Sequence, residues 1–220
     1  MYYIIEVKNM KTKASIKRIL QTLETLYPQD GTCFLDYDPA HPWQLLFATI
    51  LSAQCTDARV NIVTKTLFQT FPTLESYATA PVNHIADIIR PTGFFRTKAT
   101  HLQQSAITLL QTFNGELPSD MESLTTLSGV GRKTANVVRS HIFNLPSVTV
   151  DTHVMRVSRK LGLTESTDPV KIEHELMTLL PKTHWIPYNQ QIITHGRQVC
   201  TARSPKCDIC QLAKECVAVK

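Results

Sequence analysis

Apolar residues recur at intervals of three and four along most of the chain, and no stretch alternates for long with period two. Ile16, Ile19, Leu20, Leu23 and Leu26 predict a first helix over 15–27, stopped by Pro28 and the Gln-Asp-Gly that follows. A loop with two prolines fills 36–42, and apolar positions 43, 46, 47, 50 and 51 then predict a second, amphipathic helix. Asp57 is placed to N-cap a third helix, whose Val60, Val63, Leu67 and Phe68 share a face and which closes at Phe71-Pro72-Thr73. Helices over 82–89 and 97–113 flank the turn Pro91-Thr92-Gly93-Phe94-Phe95, and Asn114-Gly115 stops the second of them. A short helix at 121–127 precedes a run in which Ala135, Val138, Ile142 and Leu145 are aligned. An extended segment over 146–151 and helices over 153–161, 169–180 and 185–199 complete the pattern. The expected fold class is all-α, with roughly ten helices and no repeat or flexible linker.

One stretch stands out. Leu127-Ser128-Gly129-Val130-Gly131-Arg132-Lys133-Thr134 places two glycines, one residue apart, between two helices, which predicts a tight turn built on glycine's backbone freedom. Such a turn aims free N–H groups and the positive end of a helix dipole outward, an arrangement that suits a phosphate, and Arg132 and Lys133 lie at the same end. It is not a Walker A loop, because Arg132 follows Gly131 and Thr126 stands where the first glycine belongs. A dinucleotide fingerprint would need glycine at Thr134 and a preceding strand. A plain helix cap with a solvated basic turn remains the ordinary alternative.

Charge sharpens this picture. The net charge is +5, and the whole excess falls between Ser128 and Lys160, where Arg132, Lys133, Arg139, Arg156, Arg159 and Lys160 face one acid, Asp151. A concentrated basic patch is the footprint of a phosphate backbone. With 43% hydrophobic residues and no apolar run of membrane-spanning length, the chain is expected to be cytoplasmic, without membrane partners. Met10 is a plausible start by itself, so residues 1–9 are treated as a possible extension.

Cys200, Cys207, Cys210 and Cys216 cluster near the end of the chain, which in a reducing cytosol favours metal over disulfides. Zinc and an iron–sulfur cube are both compatible with four thiolates. A single Cys-x2-Cys pair, rather than two knuckles, tilts the spacing towards the cube. Cys33 and Cys55 read as ordinary buried thiols. Lys133 and Asp151 form a second candidate pair: a lysine amine can attack a sugar aldehyde carbon, and an aspartate can stabilise positive charge there or move protons. Their plainer roles are a phosphate contact and the N-cap of the next helix.

The hairpin stretch, Val150-Asp151-Thr152-His153 and the cysteine spacing, taken in order, resemble the endonuclease III family, which belongs to the helix–hairpin–helix superfamily. Leu51-Ser-Ala-Gln54-Cys-Thr-Asp57 and Thr92-Gly-Phe-Phe-Arg-Thr-Lys98-Ala match its pattern too, and the resemblance runs from about Met10 to the C-terminus. It implies a base-excision-repair glycosylase that removes oxidised pyrimidines from double-stranded DNA and cleaves abasic sites by β-elimination. Lys133 takes the place of the nucleophile and Asp151 that of the essential aspartate. Gln54 corresponds to the residue that fills the gap left by the flipped nucleotide, and Phe94 to a wedge against the opposite strand, although the adjacent Phe95 leaves open which of the two aromatics wedges. The remaining DNA contacts fall to Gly129, Val130, Gly131, Arg132, His153, Arg203 and Lys206. Cys200, Cys207, Cys210 and Cys216 match the ligands of a [4Fe–4S] cluster.

The implied architecture is a six-helix domain over 35–145 and a cluster-bearing domain made of 1–34 with 146–220. A monomer acting at the nucleoid of a bacterium is expected. Two departures matter: Ser128 replaces a common proline, which should loosen the turn slightly, and Cys55 stands where a small residue is usual. A monofunctional mismatch glycosylase is disfavoured by Lys133, and a non-catalytic DNA-binding protein by Lys133 together with Asp151. An electron-transfer protein leaves the hairpin and Gln54 unexplained.

Overall fold

The computed structural model describes residues 11–28 and 33–219. In chain order the helices are α1 (Lys13–Leu26), α2 (Trp43–Leu51), α3 (Asp57–Thr70), α4 (Leu74–Thr79), α5 (Val82–Ile89) and α6 (Phe95–Phe113). They continue with α7 (Met121–Thr126), α8 (Arg132–His141), α9 (Thr152–Lys160), α10 (Pro169–Leu179) and α11 (Trp185–Gln198). Short 3₁₀ turns join some of them, and no strand occurs among the described residues. The stop expected at 29–31 and the possible extension over 1–9 lie outside those residues. By contact the chain divides into two units, one drawn from Met1–Gly31 and Pro146–Lys220, the other from Thr32–Leu145.

The Thr32–Leu145 unit is built around α2. The expected amphipathic stripe is instead a helix with all nine residues buried. Buried on every side, its polar Gln44 and Thr49 included, α2 packs against α3, α6 and α8. Trp43 meets Phe47, Phe68 and Tyr77 edge-on at 5.3, 5.8 and 5.6 Å, arrangements the ring quadrupole favours. The cap of α3 is Thr56, not Asp57: the Thr56 hydroxyl accepts from the Arg59 N–H at 3.3 Å, and Asp57 is the first helical residue. There its charge still complements the helix dipole. α4, absent from the sequence reading, is a six-residue helix closed by a capping box between Thr73 and Ser76. α6 ends where expected, with Asn114 and Gly115 both at positive φ.

In the other unit α11 packs on α1 and α9 over a core that includes Ile19, Leu23, Val154, Val157, Ile172 and Ile192. Asn189 of α11 accepts from the Thr149 N–H at 3.0 Å and donates to the Ser147 carbonyl at 3.1 Å. Those two bonds supply the backbone pairing that the extended segment 146–151 has no neighbouring strand to provide. The segment therefore delivers Asp151 to the start of α9 in a fixed position.

Candidate active site and metal centre

The hairpin joins α7 to α8. Val130 N–H closes the turn on the Leu127 carbonyl at 3.1 Å. Gly129 has φ +76°, and a Cβ there would lie 2.8 Å from His101 Cγ, so this position is barred to other residues twice over. Gly131 differs from expectation. Its φ of −96° is open to any residue, and a Cβ would meet nothing within 4 Å. What its bare Cα leaves open is close approach from outside to the N–H groups of the first turn of α8. Val130 is 7% exposed, so only its backbone can face a ligand.

Ser128 does not leave the turn loose. Its hydroxyl pairs with His101 Nδ1 at 2.9 Å, and its carbonyl accepts from the Ser105 hydroxyl at 2.8 Å, so α6 holds the hairpin from behind. Arg132 and Lys133 are the first two residues of α8, Lys133 exposed and Arg132 half-buried.

In the same unit Gln54 and Phe94 occupy two turns, both in the left-handed region, at φ 55° and 48°. Gln54 is exposed, and Phe94 is 67% exposed. Phe95 instead packs against the core, with the Arg90 and Arg96 guanidinium carbons 5.5 and 5.3 Å from its ring centre. A residue that sequence reasoning passed over links the two turns. Lys98, 4% exposed, donates to the carbonyls of Leu51 at 2.8 Å, Ala53 at 2.9 Å and Thr92 at 2.9 Å. Burial pushes its pKa down, yet three bonds to three carbonyls use the full donor set of an ammonium. Its sequence signals were its place in the family-like stretch 92–99, where it was given no role, and its register with the buried Leu102 and Leu109 of α6.

Lys98→Met removes the donors and leaves three buried acceptors unpaired. We expect a loss of about 3–5 kcal/mol and a melting temperature lower by roughly 10 °C. A Lys98→Met protein that melts within 2 °C or so of the parent would contradict this role.

Asp151 is the N-cap of α9, its Oδ1 accepting from the Val154 N–H at 2.7 Å. Two residues on, His153 Nδ1 accepts from Arg156 Nη2 at 3.2 Å. Burial above all pushes the His153 pKa down, with Asp151 opposing and Arg156 and Arg197 assisting. Arg156, counted in the basic patch, does not point outward. Its Nη2 also reaches the carbonyls of Gly196 at 3.1 Å and Cys200 at 2.9 Å, bracing the start of the cysteine loop. Arg139 likewise spends its Nε on the Ser119 carbonyl at 3.2 Å. Part of the positive charge is thus structural.

The cysteine loop begins where α11 ends. The Cys200 N–H bonds to the His195 carbonyl at 2.8 Å, and the Lys206 N–H returns to the Val199 carbonyl at 3.0 Å. Two 3₁₀ turns, Cys207–Ile209 and Ala213–Glu215, present Cys207, Cys210 and Cys216. Glu215 anchors the loop to α1: its carboxylate accepts from the Ser15 hydroxyl and from Arg18 Nε, the latter at 2.5 Å, and its carbonyl accepts from Lys11 Nζ at 2.6 Å. Arg203 and Lys206 are exposed within the loop.

All four thiols are unpaired by disulfides, as are the half-buried Cys33 and Cys55. Burial above all pushes the Cys200 and Cys210 thiols up; Lys160 and Arg156 oppose it at Cys200 and the Leu212 backbone opposes it at Cys210, while the neighbouring thiols add a smaller upward push. Four soft donors that repel one another as thiolates suit a multiply charged iron–sulfur centre. Among the described residues no three donors are gathered as tightly as a single ion requires. Four cysteines are the donor set of a cube taking one thiolate per iron.

The profile of the HhH-GPD superfamily base excision DNA repair proteins matches residues 47–182, and that of the iron–sulfur binding domain of endonuclease III matches residues 200–216. The chain is 51% identical to an endonuclease III of Synechocystis over 95% of its length and 94% of the relative's. The chain belongs to the endonuclease III family. An endonuclease III of Bacillus subtilis is 43% identical over 80% of this chain and 81% of its own. Among solved structures, an endonuclease III trapped as a covalent intermediate with DNA matches with a TM-score of 0.89 at 42% identity, covering 94% of this chain and 97% of that one. The protein is accordingly a DNA glycosylase with abasic-site lyase activity, acting in base excision repair. It carries a [4Fe–4S] cluster. Among the described residues no helix is long and apolar enough to cross a membrane.

Proposed function

We propose that the protein excises oxidised pyrimidines from duplex DNA through a Schiff base on Lys133 and then cleaves the strand by β-elimination. The observation that carries this reading is an exposed primary amine on the second residue of α8, directly after the glycine turn, in a family with a trapped covalent DNA intermediate. The first-turn N–H groups of α8 and Arg132 grip the backbone beside the lesion. The base must leave the stack before C1′ chemistry can be aligned, and a damaged base costs less to unstack. Gln54, exposed and held out by a left-handed backbone, fills the vacated space, and Phe94 presses on the opposite strand.

Lys133 Nζ bonds to C1′ as the glycosidic bond breaks, and the base leaves with its electron pair and a proton. Asp151 steadies the positive charge that develops at the sugar and assists proton movement. The sugar ring then opens, the C1′–O4′ bond breaking as O4′ takes up a proton, to leave an iminium between C1′ and Nζ. Loss of a C2′ proton from that iminium breaks the C3′–O bond and expels the 3′ phosphate. His153, Arg203 and Lys206 add contacts to the sugar–phosphate chain. Cys200, Cys207, Cys210 and Cys216 hold the cluster, which when bound cross-links their loop and offers a one-electron couple.

We take the two units as the family's two domains, since each has its own buried core. The enzyme acts as a monomer at the bacterial nucleoid, where its substrate lies.

Borohydride trapping on a panel of duplexes tests the substrate class. Covalent complexes should form with oxidised pyrimidines and abasic sites and not with undamaged DNA. Preferential trapping on an oxidised purine would overturn the pyrimidine assignment while leaving the lyase chemistry in place.

A further inference from the structure

The cysteine loop has a polar neighbour that neither base removal nor DNA binding uses. His195 of α11 is 2% exposed, and both of its ring nitrogens are engaged. Nε2 lies 3.7 Å from Cys210 Sγ, and Nδ1 lies 3.0 Å from the Tyr27 hydroxyl. The two rings meet edge-on with centres 5.8 Å apart. Tyr27 is itself fixed at the end of α1, its N–H bonded to the Leu23 carbonyl at 2.9 Å and its carbonyl accepting from Gln191 Nε2 at 3.4 Å. All of these residues belong to one unit.

Chemistry orders the protons along this line. A cysteine ligated to iron is a thiolate and only accepts hydrogen bonds, so a lone pair on Nε2 would repel it. Nε2 must therefore carry a proton and donate it towards the sulfur. In a neutral ring Nδ1 is then a bare acceptor, and a tyrosine hydroxyl is a donor that satisfies it. We propose that Tyr27 and His195 form a directed hydrogen-bond relay that locks the ring in its Nε2–H form and tunes the cluster through the Cys210 sulfur. The proposal rests on Cys210 being a cluster ligand.

The direction of the tuning follows from charge. A donor aimed at a ligand sulfur stabilises the more negative, reduced state over the oxidised one and so raises the potential for adding one electron. A partner locks ligand orientation in the same way around other metal centres, through the far nitrogen of a histidine. Here the histidine stands one step outside the ligand shell, and the tyrosine plays the fixing part.

The test uses the iron-loaded protein and reads the potential electrochemically, together with iron content and the electron paramagnetic spectrum. Tyr27→Phe keeps the ring and removes the donor, and His195→Leu removes the relay. Both should shift the potential to more negative values, His195→Leu by more, at full iron content. Unchanged potentials in the loaded variants would overturn the relay. Should either variant fail to load iron, unmodified protein with ¹⁵N-labelled histidine decides. A reduced or oxidised paramagnetic cluster should show hyperfine coupling to one histidine ring nitrogen, and its absence would overturn the proposal. If Cys210→Ser retains full iron and an unaltered spectrum, the ligand assignment has failed rather than the relay.

Discussion

Lys133→Gln should abolish borohydride trapping while leaving DNA affinity within a few-fold of the parent. The side chain is exposed, so the exchange disturbs no core and should change stability by no more than about 0.5 kcal/mol. Glutamine is one atom shorter and stays polar but presents an amide, which cannot attack C1′ or form an iminium for borohydride to reduce. The hairpin is held by Gly129, Ser128, His101 and Ser105 rather than by the lysine, so the phosphate grip survives. Gel separation of trapped complexes checks the chemistry, and binding to an abasic-site analogue checks the affinity. Trapping at the parental level in Lys133→Gln would place the nucleophile elsewhere. Parallel loss of trapping and affinity would make Lys133 a phosphate contact.

Much of the helical order was legible because helix stops are local chemistry. Asn114-Gly115 ends α6 through two left-handed residues, and Val82–Ile89 is helical over the span its apolar spacing predicts. What failed had causes of a different range. Thr56 and Asp57 are both good caps, and the choice depends on which residue leaves the helical backbone region, at φ −75° and ψ 145° for Thr56. α4 spans six residues, too few for a period to show. The stripe of α2 hid a helix surrounded on every side, because positions 43, 46, 47, 50 and 51 mark one face and say nothing of Gln44 and Thr49, which are buried as well.

At the candidate site, residue types could be read but not their directions. Charge counting placed Arg156 in a DNA-facing patch, whereas the carbonyls of Gly196 and Cys200 turn it inward. Two glycines looked equivalent, and only Gly129 needs its backbone angle. The Lys98 contacts to Leu51 and Ala53, and the Tyr27–His195 pair, join residues far apart in the chain. No local pattern announces them.

Asp151→Asn separates the two roles that sequence left open for this residue. The carboxylate caps α9 through Oδ1 and the Val154 N–H, and asparagine is as good an N-cap as aspartate. Its amide oxygen can take the same bond, so α9 should start as before and stability should change by less than about 0.5 kcal/mol. The negative charge and the proton acceptor are lost. If Asp151 stabilises charge at the sugar and moves protons, turnover should fall by about 10²–10⁴-fold while DNA affinity stays within a few-fold. Asp151→Ala is the matching control: it loses the cap as well, at a cost of about 1 kcal/mol, and should melt earlier than Asp151→Asn with no further loss of rate. Single-turnover cleavage, thermal melting and binding to an abasic-site analogue separate these outcomes. An Asn variant with near-parental turnover would confine Asp151 to capping. An Asn variant that melts like the Ala variant would show that the cap needs the charge, because the dipole at the start of α9 then contributes more than the hydrogen bond does.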